Sequence, residues 1–454
     1  MTGATSFISA SADFASGKSS PRDFLEQNLA AVDAREGEIE AFVVRLDPAL
    51  ARARADEAGK RWRNGAQRSA IDGMSIGIKD VIETIDMPTG MGSPLYDNWR
   101  GEKDSASVRA LRDAGAIVIG KTVTTEFAAS HPGPTRNPHD LARTPGGSSS
   151  GSAAGVAAGF FAAGLGTQVV GSIVRPASYC GVVGFKPTFG AINRGGSHDY
   201  MSQSSQGVLA ASLRDAWCTL AAIAVRVGGD PGYPGLEGPL TLPQARAPEV
   251  LIGLETPGWA IASEPARDAF ENMKARLIDG GVRILTRRDR PEIDAFETML
   301  MRALPLTRLI NAWESLWPLN TYADRDASKL SAVMRERIVE GAELDIGAYR
   351  AALAERTSIR AAFASLAQIG EACVTLSAPG PAPLGLQSTG DPSFAIAGSV
   401  LGAPALSLPM LEDSGLPLGL QLLGFDAADA DLFAIAAGVQ GMRAKQGMQA
   451  QQGM

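Results

Sequence analysis

The chain has 454 residues, 45% of them hydrophobic, and a net charge of −7. That is enough apolar material for a large core, in one large domain or in two or more, and the acidic balance excludes a basic face for nucleic acid. Three cysteines (Cys180, Cys218, Cys373) form no spaced pattern, so no disulfide framework is expected and a reducing cytoplasm is.

No charged segment followed by an apolar one opens the chain, so no secretion signal is expected. Ser20-Pro21 caps a helix whose apolar positions Phe24, Leu25, Leu29 and Val32 share one face. A second amphipathic helix is expected over 48–63. Apolar strands follow at 75–79, 116–120, 165–170, 250–254, 282–286, 373–377, 405–410 and 418–424, with helical patterns between them. This alternation predicts an α/β fold. The least polar stretch, 153–166, is too short to span a bilayer and rich in Ala and Gly, so a buried helix and no membrane partner are expected. Residues 290–365 are charged and helical in pattern, and Trp313 and Trp317 fall one turn apart on one face. From 436 the chain repeats Gln-Gly-Met at 440–442, 446–448 and 452–454, which predicts a disordered tail.

The chemistry concentrates in three places: Lys79 at the end of an alternating segment, the serines Ser148–Ser150, and Ser172 after a glycine. Two serines and a lysine suffice for a nucleophile in a chain with only three histidines. Gly147–Gly151 also fits a Gly-x-Ser-x-Gly elbow with Ser149 as nucleophile. That elbow requires a preceding strand, whereas 137–145 reads as loop, so Ser149 is set aside. A phosphate loop fails too, because Gly151-Ser152-Ala153 stands where Gly-Lys-Ser/Thr is needed. No dinucleotide or metal-ligand spacing occurs, and neither cofactor nor metal is expected.

The run Gly146-Gly147-Ser148-Ser149-Ser150-Gly151-Ser152-Ala153-Ala154, then Gly171-Ser172-Ile173, Arg175-Pro176-Ala177 and 180–188, resembles the amidase signature family. So do Asp72-Gly73 through Asp80, Gly120-Lys121-Thr122 with Glu126-Phe127-Ala128, Gly390-Asp391-Pro392, 402–409 and 415–421. The resemblance covers roughly 70–425, in order. It implies one large mixed β-sheet with helices on both sides, in a single domain over 1–435. The catalytic core would lie at about 70–220 and 370–425, with 290–365 an insertion that helps line the pocket. It also implies Ser172 as nucleophile, Ser148 as bridging serine on a cis peptide after Gly147, and Lys79 as base. The 24 positions between the serines match the family's interval.

A lysine accepts a proton only when neutral. Bringing its pKa from about 10.4 to near 7.5 is worth roughly 4 kcal/mol. Burial is the cause expected, among apolar residues such as Ile76 and Ile78, with Asp80 pointing elsewhere. The backbone N–H groups of Val169, Val170, Gly171 and Ser172 are the candidates for an oxyanion hole. Many family members have two glycines before the serine and an acidic residue ahead of them, where this chain has Gln168-Val169-Val170-Gly171. Val170 is β-branched and needs an ordinary backbone region. Lys121 is expected in a structural pair, whereas His198, Asp199, Tyr200, Trp313 and Trp317 are candidate substrate contacts. The function implied is a serine amidohydrolase of non-peptide C–N bonds, in a carboxamide or an acyl-urea-type compound. The alternatives are a glutaminase component of an amidotransferase and a non-catalytic binding or scaffold relative. The expected partners are a small-molecule amide and, at most, a second copy of the chain.

Overall fold

Ser75–Lys79 is buried along its whole length, as befits a strand covered on both faces. In the computed structural model, which describes residues 3–452 and side chains through 442, it lies inside a single mixed sheet of eleven strands. In chain order these are β1 (Phe42–Arg45), β2 (Ser75–Lys79), β3 (Ile117–Thr122), β4 (Ala163–Gln168), β5 (Val183–Lys186) and β6 (Ser205–Ala210). Then come β7 (Val250–Gly253), β8 (Arg283–Leu285), β9 (Ala372–Leu376), β10 (Ala405–Asp413) and β11 (Leu416–Leu423). The spatial order is β1-β3-β2-β4-β6-β5-β10-β11-β9-β7-β8. β3, β2 and β4 run parallel, so their carboxyl ends gather on one edge.

Strand alternation deals neighbouring side chains to opposite faces of the sheet. Ile76, Ile78, Val118 and Val208 enter one apolar core, with Trp217 and Phe433. Ile117, Ile119 and Leu209 enter the other, with Phe160, Phe161 and Ile173. Helices cover both layers, as expected for this α/β fold. Among the described residues no helix is long and apolar enough to cross a membrane.

All eight expected strands form, within about three residues at their ends. β1, β5 and β6 were not anticipated. The helices Pro21–Ile39 and Pro48–Arg63 form as expected, the first capped by Ser20, which accepts from the Asp23 N–H. Three expectations need correction. The stretch 153–166 is not one helix: the helix Ser150–Ala157 ends before Gly159, whose φ is +77°, and β4 begins at Ala163. The left-handed glycine turns the chain back onto the sheet. Trp313 and Trp317 do not share a regular helical face, because the helix Ala303–Asp326 breaks at Trp317 (φ −101°, ψ 124°), before Pro318. Proline disfavours helical backbone in the residue ahead of it. The expected disordered tail from 436 lies on the helix Asp429–Gln452. Its Phe433, Ile435, Ala436 and Val439 are buried, so the apolar face anchors it. Residues 453–454 lie outside the described residues.

Candidate active site

The carboxyl edge of β2, β3 and β4 brings Lys79, Thr122, Thr167 and Gln168 together. Above that edge passes the loop that feeds the helix Ser150–Ala157. Gly151 of this helix packs so closely that a Cβ there would stand 2.2 Å from the Ala41 carbonyl oxygen and 2.5 Å from Val123 N. Only glycine admits the approach. The loop is then pinned by backbone bonds: Gly151 N–H to Val123 O (3.0 Å), Thr125 N–H to Ser148 O (3.3 Å) and Ser149 N–H to Ser172 O (3.3 Å). The last of these sets the two serine segments side by side. The Gly147–Ser148 peptide is cis.

Lys79 is fully buried. Its Nζ lies 2.7 Å from Ser148 Oγ, 2.8 Å from Thr167 Oγ1 and 3.3 Å from Thr167 O. No carboxylate pairs with it. Burial pushes its pKa from 10.5 down to about 7, against the opposing charge of Asp199. Ile76 and Ile78 do not surround this amine as expected. Alternation sends them to the opposite face of the sheet. Its enclosure comes from the serine loop and the end of β4. Thr167 was missed, since nothing about a threonine at a strand end announces a lysine 88 positions away.

Asp80 points away, as expected. Its carboxylate meets Lys121 Nζ at 2.9 Å and accepts from Gly90 N–H. Lys121 also donates to Thr89 Oγ1 (2.6 Å). Two buried lysines thus leave adjacent strands with different fates: Lys121 is held in an ion pair, whereas Lys79 has only hydroxyls and a carbonyl. Ser149, the elbow candidate, turns its hydroxyl onto the Thr167 carbonyl (3.3 Å).

Between β4 and the helix Val174–Cys180 the chain makes the turn 169–173. Gln168 closes it from inside, its Oε1 accepting from Ile173 N–H (2.9 Å) and Val174 N–H (3.0 Å) while Nε2 donates to Ser399 Oγ (3.0 Å). Ser399 Oγ donates in turn to Val170 O (2.9 Å). A carboxylate at 168 could accept both N–H groups but could not donate to Ser399. Val169, Val170 and Gly171 all have negative φ, so the two valines sit in ordinary backbone. A Cβ at Gly171 would stand 2.9 Å from the Ala395 Cβ. Among the described residues, nothing accepts from the N–H of Val169, Val170, Gly171 or Ser172. Ser172 itself is 8% exposed. Arg175, whose sequence position gave no sign of a structural clamp, donates to Gly147 O (2.8 Å), Thr389 Oγ1 (2.8 Å) and Gly390 O (2.7 Å).

His198, Asp199, Tyr200, Trp313 and Trp317 all line one cavity of about 560 Å³. Its other walls are aromatic: Phe127 stacks on Tyr322 (4.7 Å between centroids) and Trp313 on Tyr349 (5.4 Å). Trp317 and Tyr200 stand 66% and 56% exposed at this wall. His198 Nε2 meets Glu83 Oε1 at 3.1 Å, and burial pushes the imidazole below its ordinary pKa. Glu314 accepts from Ser202 N–H (2.7 Å) and Tyr349 OH (2.8 Å). A second cavity carries Val170, Asn311 and Pro392 and shares Arg337 with the first. Sequence reasoning does not single out Phe127, Glu314, Tyr322, Arg337 or Tyr349, because their convergence depends on how the 290–365 helices dock.

The family model described as Amidase matches residues 23–433. Among curated relatives, the glutamyl-tRNA(Gln) amidotransferase subunit of this type from Anaeromyxobacter sp. (strain K) is 33% identical over 463 residues, 92% of each chain. Among solved structures, one comes from a vestigial protein complex that reveals the evolutionary origins of an s-triazine catabolic enzyme. It superposes with TM-score 0.82 at 26% identity, over 96% of this chain and 98% of that one. The peptide amidase of Stenotrophomonas maltophilia superposes with TM-score 0.78 at 27% identity, over 97% of both.

Proposed function

The chain belongs to the amidase signature family, and from that premise we propose that it hydrolyses an amide C–N bond through an acyl-enzyme on Ser172. Lys79 is the base, Ser148 the proton relay, and the turn Val169–Ser172 the oxyanion hole. The observation that carries this is the amine of Lys79, buried without a carboxylate, brought to about 7 and set 2.7 Å from Ser148 Oγ. A neutral amine has two N–H groups and one lone pair. The N–H groups have Thr167 Oγ1 and O as acceptors, which leaves the lone pair for the Ser148 proton.

In the forward half-reaction Ser172 attacks the carbonyl as its proton passes to Ser148 and the Ser148 proton to Lys79. The tetrahedral oxyanion takes the unpartnered N–H groups of the turn. Collapse expels nitrogen only if it is protonated, since an amide anion is too poor a leaving group. The lysine therefore returns its proton through Ser148. Water repeats the sequence on the ester and releases the acid.

The substrate is a small carboxamide or acyl-urea-type compound with a non-peptide C–N bond, held against His198, Asp199, Tyr200, Trp313 and Trp317. Similarity to the protein tied to s-triazine catabolism supports the acyl-urea class. A glutaminase component of an amidotransferase is the second reading. It is supported by the amidotransferase relatives and by Arg337, which lines both cavities without an ion pair among the described residues. Glu340 is the charge that favours its ionised form. A free guanidinium there suits a substrate carboxylate.

Peptide mapping by mass spectrometry after fluorophosphonate treatment tests the mechanism. Stoichiometric modification of Ser172, absent in Ser172→Ala, is expected. Modification at Ser149, or none in folded protein, would overturn it. Ammonia release from glutamine by the chain alone, set against simple amides and acyl-ureas, separates the two substrates.

A further inference from the structure

A cavity of about 510 Å³ lies apart from the residues of the proposed site, between the segment Thr188–Ala191, the helix Ile346–Ser365 and the turn after β11. Phe189, Tyr233, Phe363 and Leu401 give it an apolar body. Phe189 and Tyr233 meet edge to face at 5.3 Å, and Tyr233 is 46% exposed.

Arg360 enters this cavity with most of its hydrogen-bonding capacity unspent. Its Nε donates to Val400 O (2.9 Å). Nη2 is buried against the Gly402 backbone without an acceptor, and no described carboxylate pairs with the guanidinium. A buried, unpaired donor is costly to the fold, and the cost is relieved by an anion. Burial, with Arg356 nearby, pushes Arg360 down to about 10.

The carboxylates here differ in availability. Asp429 is buried and committed, accepting from Thr188 N–H (2.8 Å) and Thr188 Oγ1 (2.6 Å). Asp426 is exposed and makes no hydrogen bond among the described residues, and its charge favours ionised Arg360. Lys186 is buried close by and donates to Pro187 O (2.6 Å). The cavity thus offers a deep cation, an apolar wall and an anion exposed to solvent.

We infer that this cavity is a second ligand site, for a small α-amino acid with an apolar side chain. The carboxylate meets Arg360, the side chain packs on Phe189, Tyr233 and Phe363, and the ammonium faces Asp426. The buried cation contributes more than the exposed carboxylate, whose attraction water screens. The helix Ile346–Ser365 carries one arginine to each cavity: Arg356, one turn earlier, donates to Ser202 Oγ (2.7 Å) in the first.

Calorimetric titration of the full chain with L-phenylalanine, 3-phenylpropanoate and phenethylamine tests this. One L-phenylalanine per chain is expected, 3-phenylpropanoate weaker, and no binding of phenethylamine. Arg360→Met should weaken L-phenylalanine at least tenfold. Tyr233→Ala, at a half-exposed position, should weaken it several-fold and serves if Arg360→Met fails to fold. Trp317→Ala, in the other cavity, should leave it unchanged. The inference is overturned by phenethylamine binding as well as L-phenylalanine, by absence of binding at millimolar concentration, or by loss in Trp317→Ala with retention in the other two.

Discussion

Lys79 Nζ stands 2.7 Å from Ser148 Oγ with no carboxylate in ion-pairing reach, whereas Lys121 on the adjacent strand stands 2.9 Å from Asp80. Both lysines are wholly buried. The partner decides which one can serve as a base, since a neighbouring carboxylate favours the charged form.

The first expectation is a pH profile. With Lys79 at about 7, kcat/KM should rise with pH as the amine loses its proton, half-maximal at about pH 7, and then level off. Lys79→Arg should abolish both the limb and the activity, because a guanidinium does not deprotonate in this range. A profile flat across neutral pH would contradict the assignment.

The two lysines should part in stability as well. Unfolded Lys79 keeps its proton until 10.5 and the folded one only to about 7. Between these values the unfolded state binds more protons, so stability rises with pH. Lys79→Met should remove that slope and stabilise the protein at pH 7 by up to about 4 kcal/mol. Lys121→Met should instead destabilise by about 3–5 kcal/mol, since Asp80 is left buried without its cation. Urea midpoints measured at several pH values decide both.

Gln168 anchors the turn before the nucleophile, so Gln168→Leu should strip the acceptor from two buried N–H groups. A loss of about 1–3 kcal/mol of stability is expected, with kcat falling about 100-fold or more while KM changes little. Gln168→Glu keeps the acceptor and loses the donor to Ser399, so it should recover part of kcat. Equal effects on KM and kcat would point to general damage.

Gly171→Ala should clash with Ala395, whose Cβ would lie 2.9 Å away. The turn must shift, and labelling of Ser172 by fluorophosphonate should slow by an order of magnitude or more. The same change at Gly385, with no atom within 4 Å, controls for substitution alone. Its φ of +85° makes some strain expected there, but no effect on labelling rate.

Much of this molecule is written locally. Strand alternation, the caps at Ser20 and Ser263 and the order of the motifs are short-range properties, so the α/β class, most strands and the candidates Lys79, Ser148 and Ser172 were legible from the chain alone. Asp80 facing away from Lys79 followed from the same alternation. What the sequence left open depends on contacts between residues far apart. Thr167 reaches Lys79 only because β2 and β4 are parallel neighbours, and Gln168 reaches Ser399 across 231 positions. The source of Lys79's desolvation was misassigned to Ile76 and Ile78 because chain neighbours are not spatial neighbours on a strand. The aromatic cavity needed the docking of the 290–365 helices, and the kink at Trp317 changed which side chains face it. Local propensity names the side chains that carry the chemistry. Burial and partner choice, which set the charge each one holds, exist only after the sheet has closed around them.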